Sequence, residues 1–101
     1  MIVWRAIHTP KRGHAADVIA LNLEWHAKFA NDSRVKGSRV LSSHIIGSNV
    51  VVGELEYESL GDWESFFSDY KKAAGRSEWL ERLVAVTTAH EHSFWVVEGR
   101  G

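Results

Sequence analysis

Three stretches of this chain place apolar side chains on both faces of a β-strand, and few folds can accommodate that pattern. Successive side chains of a strand point to opposite faces, so a sheet with one face in water shows apolar residues alternating with polar ones. Here Ile2 and Trp4 alternate with Val3 and Ile7, Val50 and Val52 with Val51, Leu55 and Tyr57, and Phe94 and Val96 with Trp95 and Val97. A sheet made from these strands buries one face under helices and needs a second cover for the other. An apolar patch of that extent on a lone subunit is an aggregation liability, and association about a two-fold axis is the commonest remedy. The chain is therefore expected to be one half of a homodimer.

The order of elements supports the same picture. Residues 2–8 are rich in β-branched and aromatic types and stop at Thr9-Pro10, which marks a strand. Over residues 14–30 the spacing becomes helical, with Asp17, Glu24 and Lys28 on one stripe that alone is expected to face water. Residues 39–46 and 50–56 read as two strands joined at Gly47-Ser48-Asn49, a hairpin. Ser59 with Asp62 three residues on resembles a capping box, and Trp63, Phe66, Phe67, Tyr70 and Ala74 share one face of the helix that follows and ends near Gly75. Ser77 is expected to cap one further turn or two over residues 78–83, and residues 84–98 contain the last strand, strongest over 93–98. Strand, helix, strand, strand, helix, strand is the ferredoxin-like β-α-β-β-α-β order of the α+β class: a four-stranded antiparallel sheet with both helices on one side. Residues 1–101 then form a single domain.

Composition removes several classes of function. With 12 basic and 13 acidic side chains the net charge is -1, so no general field attracts nucleic acid or an anionic membrane. The chain has no cysteine, which excludes disulfides, thiolate nucleophiles and cysteine metal sites. The N-terminus runs straight into Ile2-Val3-Trp4 without a basic segment and a long apolar core, and no run of apolar residues is long enough to span a bilayer. A cytoplasmic protein is expected. No phosphate loop, dinucleotide fingerprint or nucleophile elbow is present.

The polar residues that stand out lie on the first helix. Opposite its charged stripe the helical wheel places Ala15, Ile19, Asn22 and His26, so Asn22 and His26, one turn apart, point at the sheet. Burying an imidazole and an amide unpaired costs on the order of 1 to 3 kcal/mol each. Either they are satisfied within a core, or they line a solvated cavity where His26 is the natural general base and Asn22 an orienting group. Trp4, Tyr57, Trp63 and Phe67 are candidates to wall an aromatic pocket, although aromatics at such spacing usually belong to a core. His8 and His44 end or occupy strands and are placed to approach the same space, and His44 is counted with the substrate-binding candidates. His90-Glu91-His92 would put two imidazoles on one strand face about 7 Å apart. A metal needs a third ligand that the sequence does not supply, so this pair is read as a rim or interface feature and no metal site is expected. Glu54 and Glu56 share a strand face and are candidates for a carboxylate pair, although in an edge or rim position such residues are more often solvated or matched, here to Arg5 or Arg39 across the sheet.

Several runs of residues resemble a known superfamily: Arg39-Val40-Leu41, the turn Ile46-Gly47-Ser48-Asn49, the run from Val50 through Glu64 (VVVGELEYESLGDWE), and Ser77-Glu78-Trp79-Leu80. This pattern of a glutamate-bearing strand, a Ser-Leu-x-Asp helix start and a later Glu-Trp turn is similar to that of the dimeric α+β barrel superfamily, and within it to the NIPSNAP-like and antibiotic-biosynthesis-monooxygenase-like proteins. The resemblance implies a ligand cavity between helices and sheet. It also implies a choice of activities: cofactor-independent oxygenation, polyketide cyclisation or isomerisation of an aromatic or polyketide-like substrate, or no catalysis at all, as a hydrophobic-ligand-binding or structural dimer. No cofactor is expected. The haem-degrading branch carries an Asn in its first strand and a Trp and His on its second helix. This chain has Trp63 but no Asn in its first strand and no His over residues 60–86, which argues against haem degradation by that residue set.

Overall fold

The computed structural model describes residues 1–43 and 49–100. The chain runs β1 (Ile2–Pro10), α1 (Ala15–Phe29), β2 (Val35–Ser42), β3 (Val51–Tyr57), α2 (Leu60–Tyr70), α3 (Arg76–Val86) and β4 (Thr87–Val96). The four strands form one antiparallel sheet in the order β2-β3-β1-β4. This is the expected ferredoxin-like arrangement with one helix added, α3, on the crossover back to the sheet.

The two long crossovers put all three helices on one face. That face carries Trp4, Ala6 and His8 from β1, Gly53, Leu55 and Tyr57 from β3, and His90, His92 and Phe94 from β4. Cross-strand rows follow from the register. Leu55 pairs with Trp4, which pairs with Phe94; Gly53 pairs with Ala6, which pairs with His92; Val51 pairs with His8, which pairs with His90. Beneath the helices lie two apolar clusters. One joins Trp4, Trp25, Leu55, Tyr57, Phe66 and Tyr70, and the other joins Val18, Leu21, Val51 and Leu83. The small residues Gly53 and Ala6 lie between them at the middle of the sheet.

Several boundaries differ from expectation. Helix α1 turns more than its charged stripe to water: Ala16, Ala20, Leu23 and Ala27 are exposed too, because the sheet and α3 pack only against its other side. Strand β2 starts at Val35, not at 39, and an irregularity between Val35 and Gly37 absorbs the loop-like Lys36-Gly37-Ser38 segment. Gly37 fits closely there, since a Cβ would stand 3.1 Å from Oε2 of Glu56 and the carboxylate would have to give by a few tenths of an ångström. Residues 44–48, which include His44 and the Gly47-Ser48 part of the expected turn, lie outside the described ones.

Ser59 caps α2 as anticipated, its hydroxyl accepting from the backbone N–H of Asp62 at 3.2 Å. The helix stops at Tyr70 instead of near Gly75. Ser77, in contrast, is not a cap. Gly75, in the left-handed region at φ 83°, starts α3, which runs for 11 residues because Trp79 anchors it, its indole Nε1 donating to the Leu21 carbonyl of α1 at 2.8 Å. Strand β4 begins at Thr87 and includes the polar His90-Glu91-His92 run, because it pairs along nearly the whole of β1 and that pairing overrides local propensity.

The outer face of the sheet is less uniformly apolar than the alternation implied. Ile7, Val52, Leu41 and Trp95 share it with a charged group at its centre, where Glu54 receives Arg5 at 2.6 Å and Arg39 at 2.5 Å. The expectation that Glu54 is matched across the sheet thus holds, with both arginines, on an inner strand. The chain's end returns toward this face, with Arg100 3.1 Å from Glu56. No helix among the described residues is long and apolar enough to cross a membrane.

Candidate functional site

A cavity of about 330 Å³ opens between the helices and the sheet, at the low end of ligand-site volumes. Its floor is Gly53 and Ala6, where the sheet has little or no side chain. The walls are aromatic: Trp4, Trp25, Trp63, Phe67, Tyr70 and Trp79, and the mouth lies between α3 and β4, where Val84 and Phe94 line the cavity yet are 58% and 45% exposed.

Asn22 and His26 sit at the deep side, 3% and 8% exposed. They are four residues apart on α1 and both turn toward β3, where a Cβ on residue 53 would lie 2.9 Å from Asn22 Oδ1 and 2.8 Å from His26 Nε2. The two polar tips therefore converge on a glycine because nothing larger fits beneath them. Asn22 Nδ2 donates to the Val18 carbonyl at 2.9 Å, leaving Oδ1 free as an acceptor, and His26 Nδ1 lies 2.5 Å from the Ser38 hydroxyl. Among the described residues the pair makes no hydrogen bond to each other. Burial lowers the His26 pKa to about 4, so the ring is neutral at physiological pH. When Ser38 accepts from Nδ1–H, the Nε2 lone pair faces the floor of the cavity.

His8 lines the cavity beside this pair, with His90 and His92 toward the mouth. The His8 pKa is lowered to about 4, by burial first and then by the neighbouring His92, His90 and His26, and that of His92 is lowered by burial and His90. The His90-His92 pair lines the cavity toward its mouth, in keeping with the rim position expected from the sequence. Period-two phasing from Phe94 reaches both residues, although the strand pattern is strongest only from residue 93. Among the described residues no cluster of His, Asp or Glu is arranged to hold a metal ion.

Of the residues singled out from sequence, Trp4, Asn22, His26, Trp63 and Phe67 meet around this cavity. Tyr57 does not. It is fully buried against Phe66 in the aromatic core, away from the cavity lining. His44 lies outside the described residues. Sequence reading missed Gly53 and Ala6, whose signal is the absence of a side chain, and Arg76, which borders the cavity where α3 begins.

Several buried polar atoms of the lining residues are unpaired. Buried polar atoms in folded proteins are almost always paired. Among the described residues five buried side-chain nitrogens and oxygens have no hydrogen-bond partner, and four of them belong to cavity residues: His8 Nδ1, Trp25 Nε1, Trp63 Nε1 and Arg76 Nε.

Comparison with solved structures agrees with this architecture. The oxygenase SnoaB from Streptomyces nogalater, described as cofactor-independent and solved as a variant, superposes with a TM-score of 0.75 at 15% identity over 98% of this chain and 94% of its own. The fold is that of the antibiotic-biosynthesis-monooxygenase-like and NIPSNAP proteins. A NIPSNAP family protein from Agrobacterium tumefaciens matches with a TM-score of 0.74 at 16% identity, covering 94% of this chain and 90% of its own. A candidate antibiotic biosynthesis monooxygenase from Deinococcus radiodurans gives 0.75 at 11% identity, over 99% and 95% of the two chains. No protein-family model and no curated protein matches the sequence. At these identities the likeness speaks for the fold.

Proposed function

We propose that this chain is a small-molecule enzyme of the cofactor-independent oxygenase or cyclase type, acting on an aromatic or polyketide-like substrate in the cavity above Gly53. The observation that carries the reading is an otherwise aromatic cavity with a neutral imidazole and an amide oxygen at its deep side. Such a lining suits a flat apolar molecule with a few hydrogen-bonding groups. His26 Nε2 would take the proton of an acidic hydroxyl, and Asn22 Oδ1 would orient that hydroxyl. In a route without a cofactor the substrate supplies all the electrons. A CH2 carbon of the electron-rich ring system loses both C–H bonds and gains a C=O, one atom of dioxygen entering the product and the other leaving as water. SnoaB, described as a cofactor-independent oxygenase on the same fold, supports this order of preference.

Binding without turnover is the second reading, and one observation favours it. A base whose conjugate acid has a pKa of about 4 is a weak acceptor for an ordinary phenol near 10, so catalysis requires a more acidic substrate, such as a phenol conjugated with a carbonyl. Oxygen uptake with anthrone-type and naphthol substrates, compared between the native protein and His26→Ala, separates the two. Uptake lost in the variant while binding persists supports the enzyme; binding by both with no uptake by either supports the module. A homodimer formed through the outer face of the sheet completes the proposal, on the strength of the exposed Trp95 and Leu41 there.

A further inference from the structure

We infer that the cavity takes a fused-ring phenol with a hydroxyl at each end, one received by His26 and Asn22 beside Gly53 and the other by His8, His90 and His92 across Ala6. This rests on the ligand-binding reading above and names the ligand more closely.

Three observations carry it. First, His8 is 4% exposed, lines the cavity, and keeps Nδ1 without a partner. An unpaired buried imidazole costs stability that an apolar residue at this position would not. Second, the three imidazoles are gathered, with ring centroids 6.4 Å apart for His8 and His90 and 6.0 Å for His90 and His92, while no Asp or Glu lines the cavity among the described residues. An imidazole in its neutral form offers one donor and one acceptor, which suit a hydroxyl, and among the described residues the three are not arranged to hold a metal ion. Third, Gly53, Ala6 and His92 form one cross-strand row. Two strand spacings separate its ends by about 10 Å, so a ligand that reaches from Gly53 to His92 is about as long as a fused-ring system and lies flat over Ala6. Trp4 flanks that path and stacks on His92, with ring centroids 5.5 Å apart and an interplanar angle of 18°.

The probes are naphthalene, β-naphthol and the naphthalenediol with hydroxyls at opposite ends, titrated against the intact protein and followed by the fluorescence of the tryptophans that line the cavity. The diol is expected to bind about tenfold more tightly than β-naphthol, the worth of one well-made hydrogen bond. That gain should vanish in His92→Leu, a change at an exposed position that spares the core, and in His8→Phe. A diol no tighter than β-naphthol, or a gain that survives in His92→Leu, overturns the inference. In either case β-naphthol binding more tightly than naphthalene, in a manner lost with His26→Ala, leaves the reading of the deep site standing. Failure of all three probes to bind defeats both.

Discussion

Gly53 and His26 are in such close opposition that a single methyl group on the glycine would stand 2.8 Å from the histidine's Nε2. Glycine in the interior of a strand is ordinarily a liability, and alanine would stiffen the unfolded chain to the protein's advantage. Here the sign should reverse. Both groups that the new methyl meets are side-chain tips, but each is held, His26 by Ser38 and Asn22 by the Val18 carbonyl. Gly53→Ala is therefore expected to lose about 1–3 kcal/mol by overpacking and to weaken β-naphthol binding. Urea denaturation and the fluorescence titration check the two effects separately, and a stabilised variant would show that α1 yields at no cost.

The depressed histidines impose a direction on stability against pH. His26 and His8 each have a folded pKa of about 4 against an ordinary 6.5, so between those values the unfolded chain binds protons that the folded one refuses. Their contribution is fully present above pH 6.5 and is lost as pH falls toward 4, at no more than about 1.4 kcal/mol per pH unit for each group. His26→Gln, which cannot titrate, should flatten the curve in that window. Denaturation midpoints at several pH values for native and variant provide the measurement, and parallel curves would contradict the burial of the ring.

Glu54 contributes in the same direction, at lower pH. Burial alone would raise its pKa, yet the hydrogen bonds from Arg39 and Arg5 outweigh it and the net shift is downward. Its stabilisation is present above the ordinary carboxylate range and disappears as pH falls through the lowered value. Glu54→Gln removes the charge between two guanidiniums and is expected to cost about 1–3 kcal/mol at neutral pH, less if the exposed Arg39 turns to solvent. Equal stability of variant and native protein at pH 7 would mean that water serves both arginines as well as the carboxylate does.

Patterns set by local chemistry were legible in the sequence, and patterns set by pairing were not. The Ser59 cap, the inward turn of Asn22 and His26, and the strand-helix order follow from spacing alone. The start of β4 does not, because His90-Glu91-His92 has no strand propensity of its own and is extended only because β1 is long enough to pair with it. The polar residues left core and cavity open and only the family resemblance implied a cavity, whose floor consists of what Gly53 and Ala6 lack. Tyr57 was misassigned for the related reason that an aromatic residue at the right period can face either a void or another ring. Only the packed position against Phe66 distinguishes them.

Trp95 tests the feature from which the fold was first inferred. Its neighbours along β4, Phe94 and Val96, point to the helix side, whereas Trp95 lies on the outer face, 53% exposed, with the Arg5 guanidinium 5.2 Å from its ring. An indole so placed gains little in a monomer, where half of its surface meets water, but in a two-fold interface it would be buried along with Leu41, Ile7 and Val52. Charged Glu54, Arg5 and Arg39 at the centre of the same face do not oppose this, because they neutralise one another in part before any partner arrives. Sedimentation at micromolar concentration is expected to give twice the subunit mass for the native protein and a single subunit mass for Trp95→Asp, which would bring an uncompensated carboxylate into the interface. If both proteins sediment as monomers, the outer face is covered by nothing larger than the chain's own C-terminal residues. If both sediment as dimers, the two-fold contact lies elsewhere and the apolar alternation on this face has another cause.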